Sequence, residues 1–397
     1  MESKENIFHH AIKNILSRDF VLGFFALFTF VAAMYTLMPT LPIYLERLGS
    51  SVMEIGVLIG VYSVSALIFR LLVGLGFRWF SEKTIMMTGA LLFAITFFAC
   101  LLFRPFWPFL VVRLFQGAAF CFMDTAALAL VVNITPLAHR GQGLATFMLA
   151  ITLALALAPA FGMFIINHYS FTSLFLTCAA LSLCAFFFSW RLQSRYRMKL
   201  EKGAPSGSGS VLELKIIAPA ITGFLYSLLW GTVNAFVPLF AIESGVSNPG
   251  YFFSSVAVMI IVGRTMGARI LDIYSKEKIV LTFLSISMIA MILLSLSKTL
   301  PMFVLVGLLW GTGSAFLFPG IMAYAFDYAG SSGGPAVGTY RAVSDLGMAL
   351  GPVIMGLIIS LAGYRIMFLC LALICVINLS YFQFYVMKKG KCASHGS

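Results

Sequence analysis

The sequence predicts an all-α membrane protein in which twelve transmembrane helices form two pseudo-symmetric six-helix halves. Three observations predict it: an apolar composition, a series of apolar runs of spanning length, and an internal repeat. Apolar residues make up 61% of the chain and charged residues 10%, whereas soluble domains are about 25% charged. Even a large soluble domain leaves part of its chain exposed, so lipid is predicted to be the solvent for this much apolar surface.

The apolar runs have the length that a membrane span requires. A hydrocarbon core about 30 Å thick needs about 20 helical residues, and twelve runs are predicted as spans. They lie near 20–45, 54–76, 84–103, 108–132, 141–166, 171–190, 214–241, 250–268, 277–297, 301–326, 335–362 and 364–387. The runs are continuous, which favours helices over the alternating strands of a membrane barrel. The first is too long for a signal peptide core and lacks a small-residue cleavage site, so it is predicted to be a retained span.

A polar segment separates the two sets of runs. Residues 191–210 read RLQSRYRMKLEKGAPSGSGS, which is basic at first and then rich in glycine and serine, as flexible linkers are. The predicted organisation is an N-terminal half at 1–190, a linker at 191–213 and a C-terminal half at 214–397.

Lysine and arginine are unevenly distributed between the two sides of the predicted bundle. One side of the bundle carries both termini and the linker, and seventeen of these residues lie there or in the loops of the same side. The loops of the opposite side contain four: Arg47, Arg104, Lys298 and Arg365. The positive-inside rule then places both termini and the linker in the cytoplasm, as for a multi-pass protein of the cell inner membrane. The net charge of +12 is therefore a topology signal, so the expected partner is the lipid bilayer and not nucleic acid.

The two halves repeat at an almost constant offset. RLLVGLGFRWFSEKTI at 70–85 aligns with RTMGARILDIYSKEKI at 264–279 at an offset of 194. Three further matches have offsets of 194, 193 and 196: 113–125 with 307–319, Pro159 with Pro352, and 41–49 with 237–245. These matches predict a duplicated six-helix unit, a plan found in many transporters.

Cysteine and histidine are not arranged for metal, redox or catalytic chemistry. The seven cysteines are odd in number, form no C-x-x-C pair and mostly lie within apolar runs, as small buried hydrophobes do. The five histidines show no metal-ligand spacing. No glycine-rich phosphate loop or nucleophile motif is present, so we expect no cofactor, no metal and no enzymatic activity.

Two motifs carry a resemblance to a known family. RLFQG at 113–117 matches an R-x-x-Q-G signature on the fourth span, and GMALGP at 347–352 matches a G-x-x-x-G-P signature on the eleventh. With these motifs the sequence resembles the major facilitator superfamily over nearly its whole length. It looks most like the branch of proton-coupled exporters of drugs and other small molecules.

The family's G-x-x-x-D-R-x-G-R-K signature, between the second and third spans, is partly present. Gly74 and Lys83 match it, whereas Arg78 replaces the acid and Ser81 the glycine. The second copy, within 264–279, keeps the acid as Asp272. The resemblance implies gating or structural roles for the matching residues, which are Gly74, Lys83, Asp272, Pro159, Gly347, Gly351 and Pro352.

The resemblance implies a secondary active transporter that exports a small organic solute in exchange for protons by alternating access. Its partners would be that solute and protons, and the protein is expected to be monomeric. Two alternatives stay open: a proton-coupled uptake symporter, and a non-transporting sensor or scaffold on the same fold, which fold alone does not exclude.

Asp124 is the candidate for carrying the coupled proton. It lies near mid-depth of its span, where an ionised carboxylate is costly and desolvation favours the protonated form. The alternative is a structural acid bonded to a neighbouring helix. Arg113 lies eleven residues away, hence on about the same face. The resemblance implies that Arg113 helps to move the proton, and snorkelling to the outer headgroups is its alternative.

Other charged residues in the spans have weaker signals. Arg341 and Asp345 are spaced i, i+4 and can pair directly, as an accessory coupling pair or as a structural one. Arg70 and Arg264 lie near the cytoplasmic ends of the second and eighth spans and are expected to anchor to headgroups or helix ends.

Polar and amphipathic side chains within apolar spans are candidates for a substrate cavity. They are Tyr35, Thr36, Gln116, Tyr226, Trp230 and Asn234. For Gln116 the alternative is structural hydrogen bonding, and for the others it is ordinary helix packing or anchoring at the interface. An aromatic-rich cavity with few charges would suit an amphipathic solute.

Overall fold

The computed structural model describes residues 17–77, 79–102, 106–136, 139–193, 216–266, 273–329 and 334–387, and most of them are helical. The helices are α1 (Arg18–Arg47), α2 (Val52–Gly76), α3 (Glu82–Leu102), α4 (Phe106–Ile134), α5 (Arg140–His168), α6 (Phe171–Trp190), α7 (Ile217–Glu243), α8 (Gly250–Met266), α9 (Lys276–Leu296), α10 (Leu300–Ala329) and α11 (Gly334–Tyr381). A π-helical turn, Phe382–Val386, follows α11. The predicted all-α class is confirmed for these residues.

The helices have the length and composition of membrane spans. Within the described ranges, ten are long and apolar enough to cross a membrane, and a shorter apolar helix covers Gly250–Arg264. The backbone of α11 leaves the helical region at Gly363, where φ is 82°, a conformation that glycine adopts without steric cost. The predicted break between the eleventh and twelfth runs falls on this glycine. A multi-pass helical membrane protein is confirmed, and the count of twelve spans stays a prediction.

Local sequence signals determine several helix ends. At the start of α2, the Ser51 N–H donates to Glu54 Oε2 at 2.7 Å and the Glu54 N–H donates to Ser51 Oγ at 3.3 Å. This reciprocal pair is a capping box, which satisfies backbone donors that the first helical turn leaves open. At the start of α6, Ser170 Oγ accepts the N–H of Ser173 at 3.1 Å.

The ends of α1 and α7 are built in the same way. Gly49 and Gly245 follow the two helices with φ of 86° and 84°. Beyond each glycine a backbone bond closes the last turn, from the N–H of Ser50 to the carbonyl of Leu45 (3.0 Å) and from Val246 to Ala241 (2.9 Å). These are Schellman motifs, and they occur at positions that the sequence repeat makes equivalent.

The described residues fall into two compact units. The first takes in those up to Leu37 together with those of 65–204, and the second takes in 38–64 together with those from 205 onwards. Residues 38–64, which the repeat assigns to the N-terminal half, therefore lie in the second unit. Gly60 shows why: a Cβ there would lie 2.5 Å from the carbonyl oxygen of Ala349, so α2 and α11 are in backbone contact.

In the first unit α3 packs against α4 and α6. A Cβ on Gly89 of α3 would lie 2.8 Å from the carbonyl oxygen of Ala119 on α4, so glycine permits this close approach. The rings of Phe30 and Phe93 stack at 4.6 Å between centroids and join α1 to α3. Small residues and flat aromatic rings thus allow these helices to pack closely, as at other helix interfaces in membranes.

In the second unit α7 packs along α11, and α10 packs against α8 and α9. A Cβ on Gly347 would overlap the carbonyl oxygen of Phe224, and one on Gly351 would overlap that of Leu228. This glycine pair therefore permits a close approach of α7 and α11.

The repeat also reappears as two polar contacts between helices. In the first unit Asn133 Nδ2 of α4 donates to Glu82 Oε1 of α3 at 2.7 Å. In the second unit Lys276 of α9 pairs with Asp327 of α10. The offset of 194 converts each residue of one pair into its equivalent in the other. We call these contacts the α3–α4 clasp and the α9–α10 clasp.

Candidate functional site

An ion pair joins α4 to α2 inside the first unit. Asp124 is 8% exposed, and its Oδ2 lies 3.3 Å from Arg70 Nη1. The Asp124 and Arg70 side chains are 10% and 21% exposed, so the surrounding helices cover most of the pair. The expectation that Arg70 anchors to headgroups is wrong, because its guanidinium points to Asp124. Opposite charges at this distance attract strongly where the dielectric constant is low.

The second unit has no copy of this pair. The repeat equates Arg70 with Arg264 and Asp124 with Phe318. The basic position is kept in both copies and the acid is present in one. The repeat therefore does not require an acid at the position of Asp124.

Arg113 belongs to a separate hydrogen-bonded group on α4. It is 7% exposed, and its Nη1 donates to Gln116 Oε1 at 2.7 Å. Gln116 Nε2 contacts the Cys100 sulfur at 4.0 Å. At a rise of 1.5 Å per residue, Arg113 is about 16 Å from Asp124 along the helix. Arg113 is therefore buried within the unit and does not snorkel, and the residue that touches Asp124 is Arg70.

Aromatic side chains of α7 and α10 form a cluster in the second unit. Tyr226 and Trp230 are one turn apart on α7, and the ring centroid of each is 5.6 Å from that of Trp310 on α10. Trp230 Nε1 donates to the Tyr226 hydroxyl at 3.1 Å, which donates to Ser314 Oγ at 2.8 Å. Ser314 Oγ donates to the Trp310 carbonyl at 2.7 Å. We call these four residues the α7–α10 aromatic cluster.

Among the described residues at and next to this cluster, two buried polar atoms lack hydrogen-bond partners, one in the cluster and one on the next turn of α7. They are Trp310 Nε1 and Asn234 Oδ1. Trp310 is 0% exposed, and Asn234 lies one turn beyond Trp230 on the same face of α7. A buried polar atom without a partner is uncommon and calls for an explanation.

The two cavity candidates on α1, Tyr35 and Thr36, lie where α1 packs against α5. Thr36 is fully buried, and a Cβ on Gly162 of α5 would overlap its carbonyl oxygen. Tyr35 precedes it and is partly exposed. Pro159 lies within α5, less than one turn from Gly162. These residues form a close contact between α1 and α5, and a role in substrate binding stays a prediction.

The remaining candidates are placed as follows. Lys83 Nζ donates to the carbonyl of Leu192 at 2.9 Å. Arg341 and Asp345 are both partly exposed on α11, and their mutual contact stays a prediction. Pro352 lies inside α11 and Gly74 inside α2. Asp272 lies outside the described residues.

Sequence reasoning missed Arg70 and Trp310. Arg70 is 54 residues from Asp124, and no spacing rule links residues on two different helices. Trp310 lies in a uniformly apolar run. A signal was available for Trp310: the repeat aligns it with Gln116, so it is a position at which the two halves differ in polarity. The repeat gives no such signal for Arg70, which aligns with Arg264.

The family follows from a model that covers most of the chain. The model described as Major Facilitator Superfamily matches residues 23–333 and 220–391. The chain belongs to the major facilitator superfamily. The predicted membership is confirmed, and superfamily members are transporters and not enzymes.

Relatives in the superfamily are distant in sequence but cover nearly the whole chain. The staphylopine export protein of Staphylococcus aureus is 23% identical over 94% of this chain and 97% of its own. Multidrug resistance protein MdtG of Klebsiella pneumoniae is 23% identical over 88% of this chain and 89% of its own. The resemblance to drug and small-molecule exporters thus agrees with these relatives.

Solved structures share the superfamily fold. The nucleoside transporter NupG has a TM-score of 0.74 at 15% identity and is matched over 92% of this chain and 97% of its own. The human organic anion transporter MFSD10 has a TM-score of 0.65 at 17% identity and is matched over 92% of this chain and 98% of its own. At these identities the likeness concerns the fold.

Proposed function

We propose that this protein exports a small organic solute across the cell inner membrane in exchange for protons. Twelve spans in two six-helix halves would alternate access to a central cavity, with both termini in the cytoplasm and the protein acting as a monomer. The observation that carries the proposal is the ion pair between Asp124 and Arg70, 3.3 Å apart on two apolar helices.

The pair has the physical properties of a proton switch. An ionised carboxylate among apolar helices is costly unless it is paired or protonated. Arg70 supplies the pairing, and protonation of Asp124 would release the guanidinium from that contact. Because both side chains retain some exposure, water can deliver and remove the proton. A conformational change that alters this exposure would then couple protonation to the movement of the solute.

The accessory roles follow the same argument. Asp345 is proposed as a second acid with Arg341 beside it, and Arg113 as a buried charge that organises α4. The solute would contact Tyr35, Thr36, Gln116, Tyr226, Trp230 and Asn234. Relatives that are named for staphylopine export and for multidrug resistance support the direction of export.

Transport by purified protein in vesicles tests the proposal. Proteoliposomes containing a pH-sensitive dye would be exposed to a panel of small aromatic and aliphatic solutes, with and without an imposed pH step. We expect at least one solute to move against its gradient, with protons moving in the opposite direction. Solute and protons moving together would identify a symporter. Movement of no solute would identify a sensor or scaffold and would contradict the proposal.

A further inference from the structure

The α7–α10 aromatic cluster has two features that a purely structural core would not need. A chain of hydrogen bonds from Trp230 to Tyr226 to Ser314 holds two of its rings, and both rings contact the buried ring of Trp310. Yet Trp310 Nε1 and Asn234 Oδ1 stay without partners, although buried indole N–H groups usually have one. The cluster therefore offers aromatic faces, one free donor and one free acceptor.

The charges at the cluster narrow the chemistry of a ligand. None of Tyr226, Trp230, Asn234, Trp310 and Ser314 carries a formal charge, so no member would neutralise an ionic ligand. Aromatic faces favour flat rings in offset or edge contacts. The Trp310 N–H can donate to a ring nitrogen or carbonyl of the ligand. The Asn234 Oδ1 can accept from an N–H or O–H group of the ligand.

We propose that this cluster, with Asn234, is a binding site for a neutral planar heteroaromatic solute. The ring of the solute would stack on Trp230, an acceptor atom would take the Trp310 N–H, and a donor group would bond to Asn234 Oδ1. The inference rests on the proposed function in one respect, that this solute is what the transporter moves.

Trp230 is the most exposed ring of the cluster. Trp310 is fully buried, whereas Trp230 and Asn234 are partly exposed. Among the described residues, the bond to the Tyr226 hydroxyl is the one polar contact of the Trp230 side chain. In this proposal the Trp230 ring would turn aside to let a solute reach the Trp310 N–H, which would break that bond and the ring contact with Trp310.

The repeat confines the site to the second unit. The offset of 194 equates Trp310 with Gln116 and Ser314 with Phe120. The equivalent place in the first unit therefore has a glutamine bonded to Arg113 in place of the indole. The second unit therefore has the aromatic cluster, and the first unit has the ion pair of Asp124 and Arg70.

Binding is measured on the full-length protein in detergent, without any gradient. The probe is 2-aminopurine, a neutral fluorescent heterocycle with ring acceptors and an amino donor, whose emission falls when it stacks on aromatic rings. We expect saturable quenching by the wild type. Trp310→Phe, which keeps a ring and removes the N–H, should weaken binding about tenfold, which corresponds to 1.4 kcal/mol. Trp107→Phe, at an exposed position on α4, is the matched control and should bind as the wild type does.

A second comparison does not depend on whether the tryptophan variant folds. Purine lacks the amino group and should displace 2-aminopurine with several-fold lower affinity from the wild type. In Asn234→Ala the two compounds should bind equally, because the acceptor for the amino group is gone. Absence of saturable binding, equal binding by Trp310→Phe, or an amino-group effect that survives in Asn234→Ala would each overturn the assignment.

The outcomes separate this inference from the proposed function. Binding as described, without pH-driven flux of 2-aminopurine, would leave the site standing and remove its role in transport. pH-driven flux of other solutes, with no binding of 2-aminopurine or purine, would keep the transporter and overturn the site.

Discussion

At the residue scale, Asp124 and Arg70 depend on each other because neither charge is well placed alone among apolar helices. The contact of 3.3 Å compensates part of the cost of withdrawing both groups from water. Removal of one partner from such a pair is usually more destabilising than removal of both, since the remaining charge is left uncompensated. This asymmetry gives a direct test of the pair.

We expect Arg70→Met to lower the free energy of unfolding by about 1–3 kcal/mol, less than for a fully buried pair because both side chains keep some exposed area. Adding Asp124→Asn to Arg70→Met should restore part of that loss. Thermal melting of the wild type, the two single variants and the double variant gives a double-mutant cycle, which measures the interaction between the two side chains. Purely additive effects would mean that the two side chains do not interact.

Prediction from the sequence was successful where the signal is local, as at the break between the eleventh and twelfth runs, where Gly363 has φ of 82°. The capping box at Ser51 and the Schellman glycines at 49 and 245 were not predicted, although they involve contacts within six residues, so a short pattern contains the whole contact. The partner of Asp124 was not predictable in this way, because Arg70 is on another helix and several arginines had similar patterns. Tyr226, Trp230 and Asn234 were predicted as polar and amphipathic side chains within an apolar span. Trp310 was not, since an apolar run gives no sign of which ring faces a neighbour.

At the scale of helices, the two clasps show how one duplicated contact has diverged. In the α9–α10 clasp Lys276 and Asp327 are opposite charges on partly exposed and exposed side chains. In the α3–α4 clasp Glu82 is 1% exposed and bonds to a neutral asparagine. The same two positions therefore join the helices with different chemistry.

Transplanting one clasp into the other tests their equivalence. Glu82→Lys alone should lower the free energy of unfolding by about 2–4 kcal/mol, because it leaves a buried ammonium without a counter-charge. Glu82→Lys with Asn133→Asp recreates the α9–α10 clasp and should recover at least half of that loss. Thr84→Lys introduces the same lysine at an exposed neighbouring position and should melt within about 0.5 kcal/mol of the wild type. If the double variant melts no higher than Glu82→Lys, the two clasps are not interchangeable.

The contact between α7 and α11 requires glycine at one position and not at another on the same helix. Gly351→Leu should abolish transport while the protein still inserts, because its Cβ would overlap the Leu228 carbonyl. Gly338→Leu is the control, since nothing lies within 4 Å of a Cβ there, and it should transport normally. Solute flux compared at equal membrane content measures both. Full activity in Gly351→Leu would show that these helices do not need close contact.

At the scale of the whole molecule, the loop charges predict a topology that chemical labelling can check. Single cysteines at Ser208 and Ser394, both outside the described residues, should react with an impermeant maleimide from the cytoplasmic side. A cysteine at Thr299, which is exposed between α9 and α10, should react from the outside. Ser297 is buried and would label poorly. Labelling of 208 and 394 from opposite sides would contradict an even number of spans.

Coupling is the central claim, and Asp124→Asn tests it most directly. The substitution keeps the shape of the side chain and its ability to hydrogen-bond, but removes its proton chemistry. In proteoliposomes, with a solute found to be moved by the wild type, the variant should exchange that solute down its own gradient at near the wild-type rate. Its pH-driven component should fall at least tenfold, whereas Asp327→Asn, at an exposed acid, should retain it. A pH-driven component that persists in Asp124→Asn would show that the proton travels elsewhere and would contradict the account.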